Sequence, residues 1–395
     1  MEKLKTAVRF GADAVYFGGE LFSLRAGAGN FSIDEIAEAM EWLHDNGAKG
    51  YMTINIYPHN GDIQPLREYL GKIRDIPVDA FLVSDAGVMT LIKEIIPGAE
   101  IHLSTQANTT NYLTAKFWVS QGVKRIVCAR EMSLEELRMM RSELPDDIEI
   151  EAFVHGAMCI SYSGRCLLSN FMAGRDANKG ACTHPCRWKY ALVEEQRPGE
   201  YYPIEEDSRG SYILNSRDLC MIDRIPDLAE AGVYSFKIEG RMKSMYYAAT
   251  VVSAYRAAID EYISDPDSYS FDPAHFDELC KASHREFTHG FYYNKPTDKD
   301  QNYLTSEYTR DYSFIGLVRD TDPETGLTTV EQRNKFSAGE TVEVFGPYTP
   351  YYEETINEMY DEEGNPIESA PHPQQILRIR FSRVPEPGFI MRKKK

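Results

Sequence analysis

The residues able to do chemistry crowd into one stretch, Glu151 to Tyr190, which reads EAFVHGAMCISYSGRCLLSNFMAGRDANKGACTHPCRWKY. Four of the seven cysteines, Cys159, Cys166, Cys182 and Cys186, fall within 28 residues, spaced C-x6-C-x15-C-x3-C. Gly156, Gly164, Gly174 and Gly180 make the stretch mostly turn and loop, and glycine permits the backbone angles by which a loop turns several thiols toward one point. Three chemistries compete: disulfides, apolar filling and four-thiolate metal binding. The N-terminus, MEKLKTAVRF, is charged and helical and lacks the apolar segment of a signal peptide. The expectation is therefore a cytoplasmic chain with reduced thiols, which disfavours disulfides. Buried filler cysteines seldom cluster so tightly. For a metal, structural zinc prefers short knuckles, which only Cys182 and Cys186 approximate, while thiolate ligation from irregular loops suits an iron–sulfur cluster equally well. The spacing leans slightly toward the cluster. Cys128, Cys220 and Cys280 read as core or incidental, with Cys220 the one plausible fifth ligand.

Several strings carry a family resemblance. EAFVHGAMCISYSGRCLLSN (151–170), SFKIEGRMKS (235–244), HLSTQAN (102–108) and CARE (128–131) resemble motifs of peptidase family U32, the collagenase-like proteins. The C-terminal FIGLVRD, EQRN and VEVFGP segments resemble the branch that hydroxylates tRNA at the wobble uridine. The resemblance runs the whole length and implies a 4Fe–4S cluster, its ligands matching Cys159, Cys166, Cys182 and Cys186. It further implies oxygen-independent formation of 5-hydroxyuridine with prephenate as co-substrate. A sister branch uses a ribosomal cytidine, and some members work as pairs of related chains.

What must position these groups is legible in the periodicity. Short β-branched or aromatic runs at 14–18, 50–56, 80–84, 100–104, 125–129, 148–154 and 235–239 alternate with helical patterns such as Ile33–Asp45, Ala86–Ile96, Tyr112–Gln121 and Leu134–Glu143. Ser32 with Glu35, and Ser133 with Glu136, form capping boxes. Strand and helix at this interval mean βαβ units and a parallel sheet with both faces buried. The expected class is α/β: a TIM-like (β/α)8 barrel over 1–263, followed by a connection over 264–310 and a small antiparallel β-barrel over 311–395. Seven strands are countable where a closed barrel needs eight. Family members begin with one more strand, so the barrel is expected to lack its first, unless a run such as Ser211–Leu214 closes it.

Active sites of such barrels lie at the C-terminal ends of the strands. That rule selects Arg25, Asn55, Gln106, Arg130, His155, Lys237 and Arg241 on the rim from which the cysteine loop emerges. Arginines beside a cluster suit a small dianion such as prephenate, which they grip bidentately. Arg241, Arg130, His155 and Gln106 are the candidate catalytic groups, and Arg25, Lys237 and Asn55 the candidate co-substrate ligands. The plainer alternatives are rim ion pairs for Arg130–Glu131 and Glu239–Arg241, a satisfied loop histidine for His155, and loop-bridging amides for Asn55 and Gln106.

Composition constrains partners. The chain has 395 residues, 43 basic against 61 acidic, for a net charge of −18. Such a surface argues against non-specific nucleic-acid binding and leaves an RNA substrate dependent on a local basic patch. No apolar run is long enough to span a membrane. Residues 187–210 read as a surface hairpin, 215–232 as helical, Lys243–Tyr262 as a long packing helix, and the final MRKKK as a disordered basic tail. Arg319, Arg333, Lys335, Arg378 and Arg380 of the C-terminal module could hold RNA or merely brace it. A protease is the rival reading, although no HExxH occurs and Ser163 lies in no G-x-S-x-G elbow. A zinc-stabilised scaffold is another.

Overall fold

A computed structural model describes residues 1–25, 28–159, 166–188, 191–193, 201–203, 217–294 and 308–395. The chain opens on helix α1 (Glu2–Arg9), then alternates strand and helix: β1 (Ala14–Gly18), α2 (Ile33–Asp45), β2 (Lys49–Ile54), α3 (Asn60–Ile73), β3 (Ala80–Val83), α4 (Ala86–Ile95), β4 (Ile101–Leu103), α5 (Tyr112–Ser120), β5 (Arg125–Val127), α6 (Leu134–Glu143) and β6 (Glu149–Ala157). Each of the six strands pairs parallel with the next. Both expected capping boxes are made: Ser32 and Glu35 exchange bonds of 2.9 and 3.2 Å, Ser133 and Glu136 bonds of 2.7 and 3.3 Å. β3, β4 and β5 are buried at every residue, as continuous apolar strands under helices must be.

After β6 comes the cysteine loop with its short helix α7 (Leu168–Ala173). Within the expected hairpin, Ala191–Val193 pairs antiparallel with Tyr201–Pro203. Ser163 and Ser211–Leu214 lie outside the described residues. The segment read as helical from 215 instead contains a strand, β7 (Asp218–Cys220), antiparallel to the end of β6, before helix α8 (Ile225–Glu230). Three residues sufficed because β6 outruns its other neighbours and leaves an unpaired edge there. β8 (Ser235–Ile238) pairs parallel with the middle of β6, from Glu151 to His155. Helices α9 (Met245–Ser264) and α10 (Pro273–Cys280) pack together, and β9 (Phe287–Thr288) joins β7. The segment expected as a connection thus extends the first sheet.

Seven parallel strands, β1 to β6 and β8, form a rolled sheet. Its two end strands face each other: the Tyr16 hydroxyl donates to the carbonyl of Ile238 at 3.4 Å, and the Lys237 ammonium lies 4.2 Å from the Tyr16 ring centre. Among the described residues no backbone pairing joins β1 to β8, so the roll is not sealed into a ring. The two strands flanking this seam are only partly buried.

The C-terminal unit is an antiparallel sheet of β10 (Tyr312–Thr321), β11 (Thr328–Gln332), β12 (Thr341–Gly346), β13 (Thr349–Thr355), β14 (Met359–Tyr360), β15 (Ile376–Ile379) and β16 (Ile390–Lys394), ordered β13-β12-β16-β10-β11-β15-β14. The expected disordered tail is therefore an inner strand. Its alternation puts Met391 in the core of this unit and Ile390 and Arg392 on the opposite face, toward the first unit, where the fully buried Arg392 is neutralised by Glu343 at 2.7 Å and Glu278 at 2.8 Å. The two units share an apolar seam of Phe10, Met245, Tyr246 and Ala249 against Leu317, Phe345 and Ile390. Arg319 and Arg333 brace it through Glu2 at 3.0 and 2.7 Å, and Arg380 pairs with Glu358, so these three expected RNA contacts are engaged within the protein. No described helix is long and apolar enough to cross a membrane.

Candidate functional site

The C-terminal rim of the rolled sheet gathers three arginines around one carboxylate. β8 ends at Ile238, and a register shift against β6 turns Glu239 inward, its amide donating to the His155 carbonyl at 3.0 Å. Gly156 makes this possible: its φ is +116°, and a Cβ there would stand 2.8 Å from the Glu239 carbonyl oxygen. The next turn places Arg241. Its amide donates to Glu239 Oε1 at 3.1 Å, and its guanidinium reaches Asn30 Oδ1 at 2.8 Å, Ser23 Oγ at 3.1 Å and Thr53 Oγ1 at 3.3 Å. From below, the Lys3 ammonium of α1 donates to the carbonyls of Arg241 and Lys243.

The electrostatics follow from this packing. Burial opposes ionisation of Glu239, yet Arg25, Arg130 and Arg241 outweigh it and hold its pKa below the ordinary value. Glu239 in turn raises the pKa of Arg25. Burial lowers that of Arg130, whose guanidinium stacks 3.9 Å from the Phe153 ring centre, and that of Arg241. Burial, with the charge of Glu239 nearby, also lifts the Tyr16 hydroxyl far above its usual range. Three half-buried cations share one carboxylate, an excess of positive charge that an anionic ligand would relieve.

The cysteine loop returns to this rim. Gly180, at φ +85°, packs so closely that an added Cβ would lie 2.9 Å from the Arg25 amide nitrogen, and Lys179 pairs with Asp62 at 3.1 Å. Cys182 and Cys159 stand near enough to Arg25 to favour its charge, and Cys159 does the same for Arg130. Cys182 Sγ accepts the His184 amide at 3.4 Å. None of the seven cysteines is in a disulfide; Cys159 is exposed, and Cys166, Cys182 and Cys186 are half-buried. Cys128 and Cys220 are buried, and desolvation pushes both thiols up to about 12, which suits filler rather than ligands. The four loop thiols fit a metal in kind and number. Among the described residues, however, no three His, Cys, Asp or Glu side chains converge as a metal site.

The remaining expected residues divide. Lys237 lies one layer deeper, ion-paired with Glu151, which also accepts from Arg125 at 3.1 Å and Ser235 at 2.9 Å. Burial would raise the Glu151 pKa, but Lys237 and Arg125 hold it at about 2, so Lys237 is structural. His155 is boxed by Tyr247, Tyr255 and Phe287 with its pKa driven by burial to about 3, a neutral core imidazole. Asn55 bridges loops, accepting the Leu24 amide at 3.1 Å and, through its carbonyl, the Ser84 hydroxyl at 3.0 Å. Gln106 Oε1 is buried without a hydrogen-bond partner, as are Thr109 Oγ1 and Glu131 Oε2 on the neighbouring rim loops. Glu239, seen in the sequence only as a brace, is the hub of the site, and the Glu-Gly-Arg spacing was its signal. Tyr16, Asn30 and Lys3 gave none.

Residues 1–302 match the family described as Peptidase family U32, and residues 310–392 match its C-terminal domain. A Bacillus subtilis (strain 168) protein named tRNA hydroxylation protein P1 is 41% identical over 395 residues, covering 100% of this chain and 93% of its own. An Escherichia coli (strain K12) protein named tRNA hydroxylation protein P is 36% identical, covering 88% and 84%. A second Escherichia coli (strain K12) protein, named 23S rRNA 5-hydroxycytidine C2501 synthase, is 37% identical over 261 residues, 66% of this chain and 38% of its own.

Proposed function

The chain belongs to peptidase family U32, and from that premise we propose that it is an iron–sulfur-dependent, oxygen-independent RNA hydroxylase. The substrate in this reading is the wobble uridine of tRNA, converted to 5-hydroxyuridine with prephenate as co-substrate. The relatives named for tRNA hydroxylation and for a 5-hydroxycytidine synthase support RNA hydroxylation as the reaction class. The observation that carries the reading is the juxtaposition of Arg25, Arg130 and Arg241 around Glu239 with a loop bearing four unbridged thiols.

Cys159, Cys166, Cys182 and Cys186 would hold the cluster, which supplies one-electron redox chemistry when bound. The chain's own part is to bind and orient. Arg25, Arg130 and Arg241 take the carboxylates of a dianion, and Glu239 keeps them ordered in its absence. The orphaned Gln106 Oε1 accepts a donor from the bound substrate. His155, walled in by aromatic rings, is poorly placed to carry a proton.

Nucleoside mass spectrometry of bulk tRNA and rRNA from a deletion strain, with and without the gene restored, tests the proposal. A hydroxylated pyrimidine should vanish on deletion and return on restoration; unchanged nucleosides would overturn it. In anaerobically purified protein, Cys→Ala at any of the four loop positions should lose iron and sulfide, and Cys220→Ala should keep both.

A further inference from the structure

The chain's acidity conflicts with an RNA substrate, and the cysteine loop resolves the conflict. Between Met158 and Tyr190 the sequence carries Arg165, Arg175, Lys179, Arg187 and Lys189 against the single acid Asp176, in a chain where acids outnumber bases 61 to 43. Interleaved with these charges are exposed apolar side chains. Phe171 is 89% exposed, Leu167 67% and Trp188 46%.

These side chains are held in place. The fully buried Ser169 anchors α7 from beneath by accepting the Thr183 amide at 3.0 Å. α7 also packs on the Pro185–Arg187 turn that leads directly into Trp188. Phe171 and Trp188 therefore belong to one packed unit. The same unit abuts the arginine site, because Gly180 rests on the backbone of Leu24 and Arg25. Exposed Arg175 follows α7, whereas Lys179 is engaged with Asp62.

Exposed aromatics among cations, on an otherwise acidic molecule, are how proteins hold unpaired nucleotides: every base has a face to stack, and the cations track phosphate. We propose that α7 and Trp188 form the stacking platform for the unpaired nucleotides that flank the reacting base, with Arg175 on their backbone. This rests on the RNA hydroxylase reading and adds to it the surface that selects loop over duplex.

Fluorescence anisotropy with anaerobic, cluster-loaded protein tests it, using a stem-loop RNA with an unpaired loop and a fully paired duplex of the same length. Phe171→Ala and Trp188→Ala should each weaken stem-loop binding about tenfold, and Trp188→Phe should restore most of it. Arg175→Gln should reduce the salt dependence by about one phosphate contact. Stem-loop RNA should quench the tryptophan fluorescence of wild type and of Trp42→Phe, and the quench should be lost in Trp188→Phe, a measurement that needs no destabilising variant. Wild-type affinity in the Phe171→Ala, Trp188→Ala double variant, equal affinity for the duplex, or a change of oligomeric mass in place of RNA binding would overturn it. The last would assign the face to a second copy of the chain. If nucleosides are unchanged in the deletion strain, the hydroxylase reading itself fails. If hydroxylation stands and the double variant modifies limiting RNA at the wild-type rate, only the platform fails.

Discussion

At the scale of single residues the site depends on the shape of Arg241 as much as on its charge. Its guanidinium reaches Asn30, Ser23 and Thr53 at once, which an ammonium cannot imitate. If the proposed function holds, Arg241→Lys should leave iron content unchanged and raise KM for an anionic co-substrate roughly tenfold or more, since each charge-assisted bond is worth about 1.5–3 kcal/mol; steady-state kinetics and iron content check both halves. Two histidines set the acid response. His102 and His155 are buried, and desolvation lowers their pKa values to about 4 and about 3 from 6.5. Below pH 6.5 the unfolded chain binds protons that the folded chain refuses. Stability is therefore full above pH 6.5 and falls as the pH drops toward 4, by up to about 1.4 kcal/mol per pH unit for each group. Denaturation at pH 7.5, 6.5 and 5.5 should show that slope, and His102→Gln should flatten it. The rim rule read from the sequence selected Arg25, Arg130 and Arg241, which the fold brings together at Glu239, because a strand's end is visible in its pattern. That Lys237 and His155 join a deeper layer was not legible, because the layer depends on partners from distant strands, here Glu151 and the Tyr247–Tyr255–Phe287 box.

At the scale of elements, β6 does the most to position the chemistry. It pairs with β5, β7 and β8, and its Gly156 admits the Glu239 backbone at a distance no other residue allows. Gly156→Ala combines a left-handed φ with a backbone clash and should cost roughly 3 kcal/mol. Gly47→Ala, at φ +69° in open space, should cost about 1 kcal/mol. Chemical denaturation of the two variants separates the close approach from the backbone angle alone. Alternating strand and helix were legible because apolar runs and capping boxes are local signals. β7 was not, since three residues, Asp218–Cys220, carry no period and become a strand only beside the overhanging edge of β6. Ring closure was equally beyond reach: it depends on β1 and β8, which are far apart in the chain.

At the scale of the molecule, the two units are joined by an apolar seam with a buried ionic knot beside it. Arg392 is wholly buried between Glu278 of α10 and Glu343 of β12, and Lys281 pairs with Glu343 at 2.9 Å. Arg392→Ala leaves the two carboxylates with Lys281 alone between them and should destabilise the protein by about 3 kcal/mol. The triple change Arg392→Met, Glu278→Gln, Glu343→Gln should recover most of that in a urea titration. The MRKKK run looked solvated because net charge is legible in a sequence and neutralisation by Glu278, more than a hundred residues upstream, is not. One further arrangement ties this scale to the first. In α1, Glu2 grips Arg319 and Arg333 of the C-terminal sheet, and the adjacent Lys3 grips the turn that carries Arg241. Two consecutive side chains of one helix thus tether the C-terminal unit and the Arg241 turn to a common end, so removing that helical step would leave both without their tie.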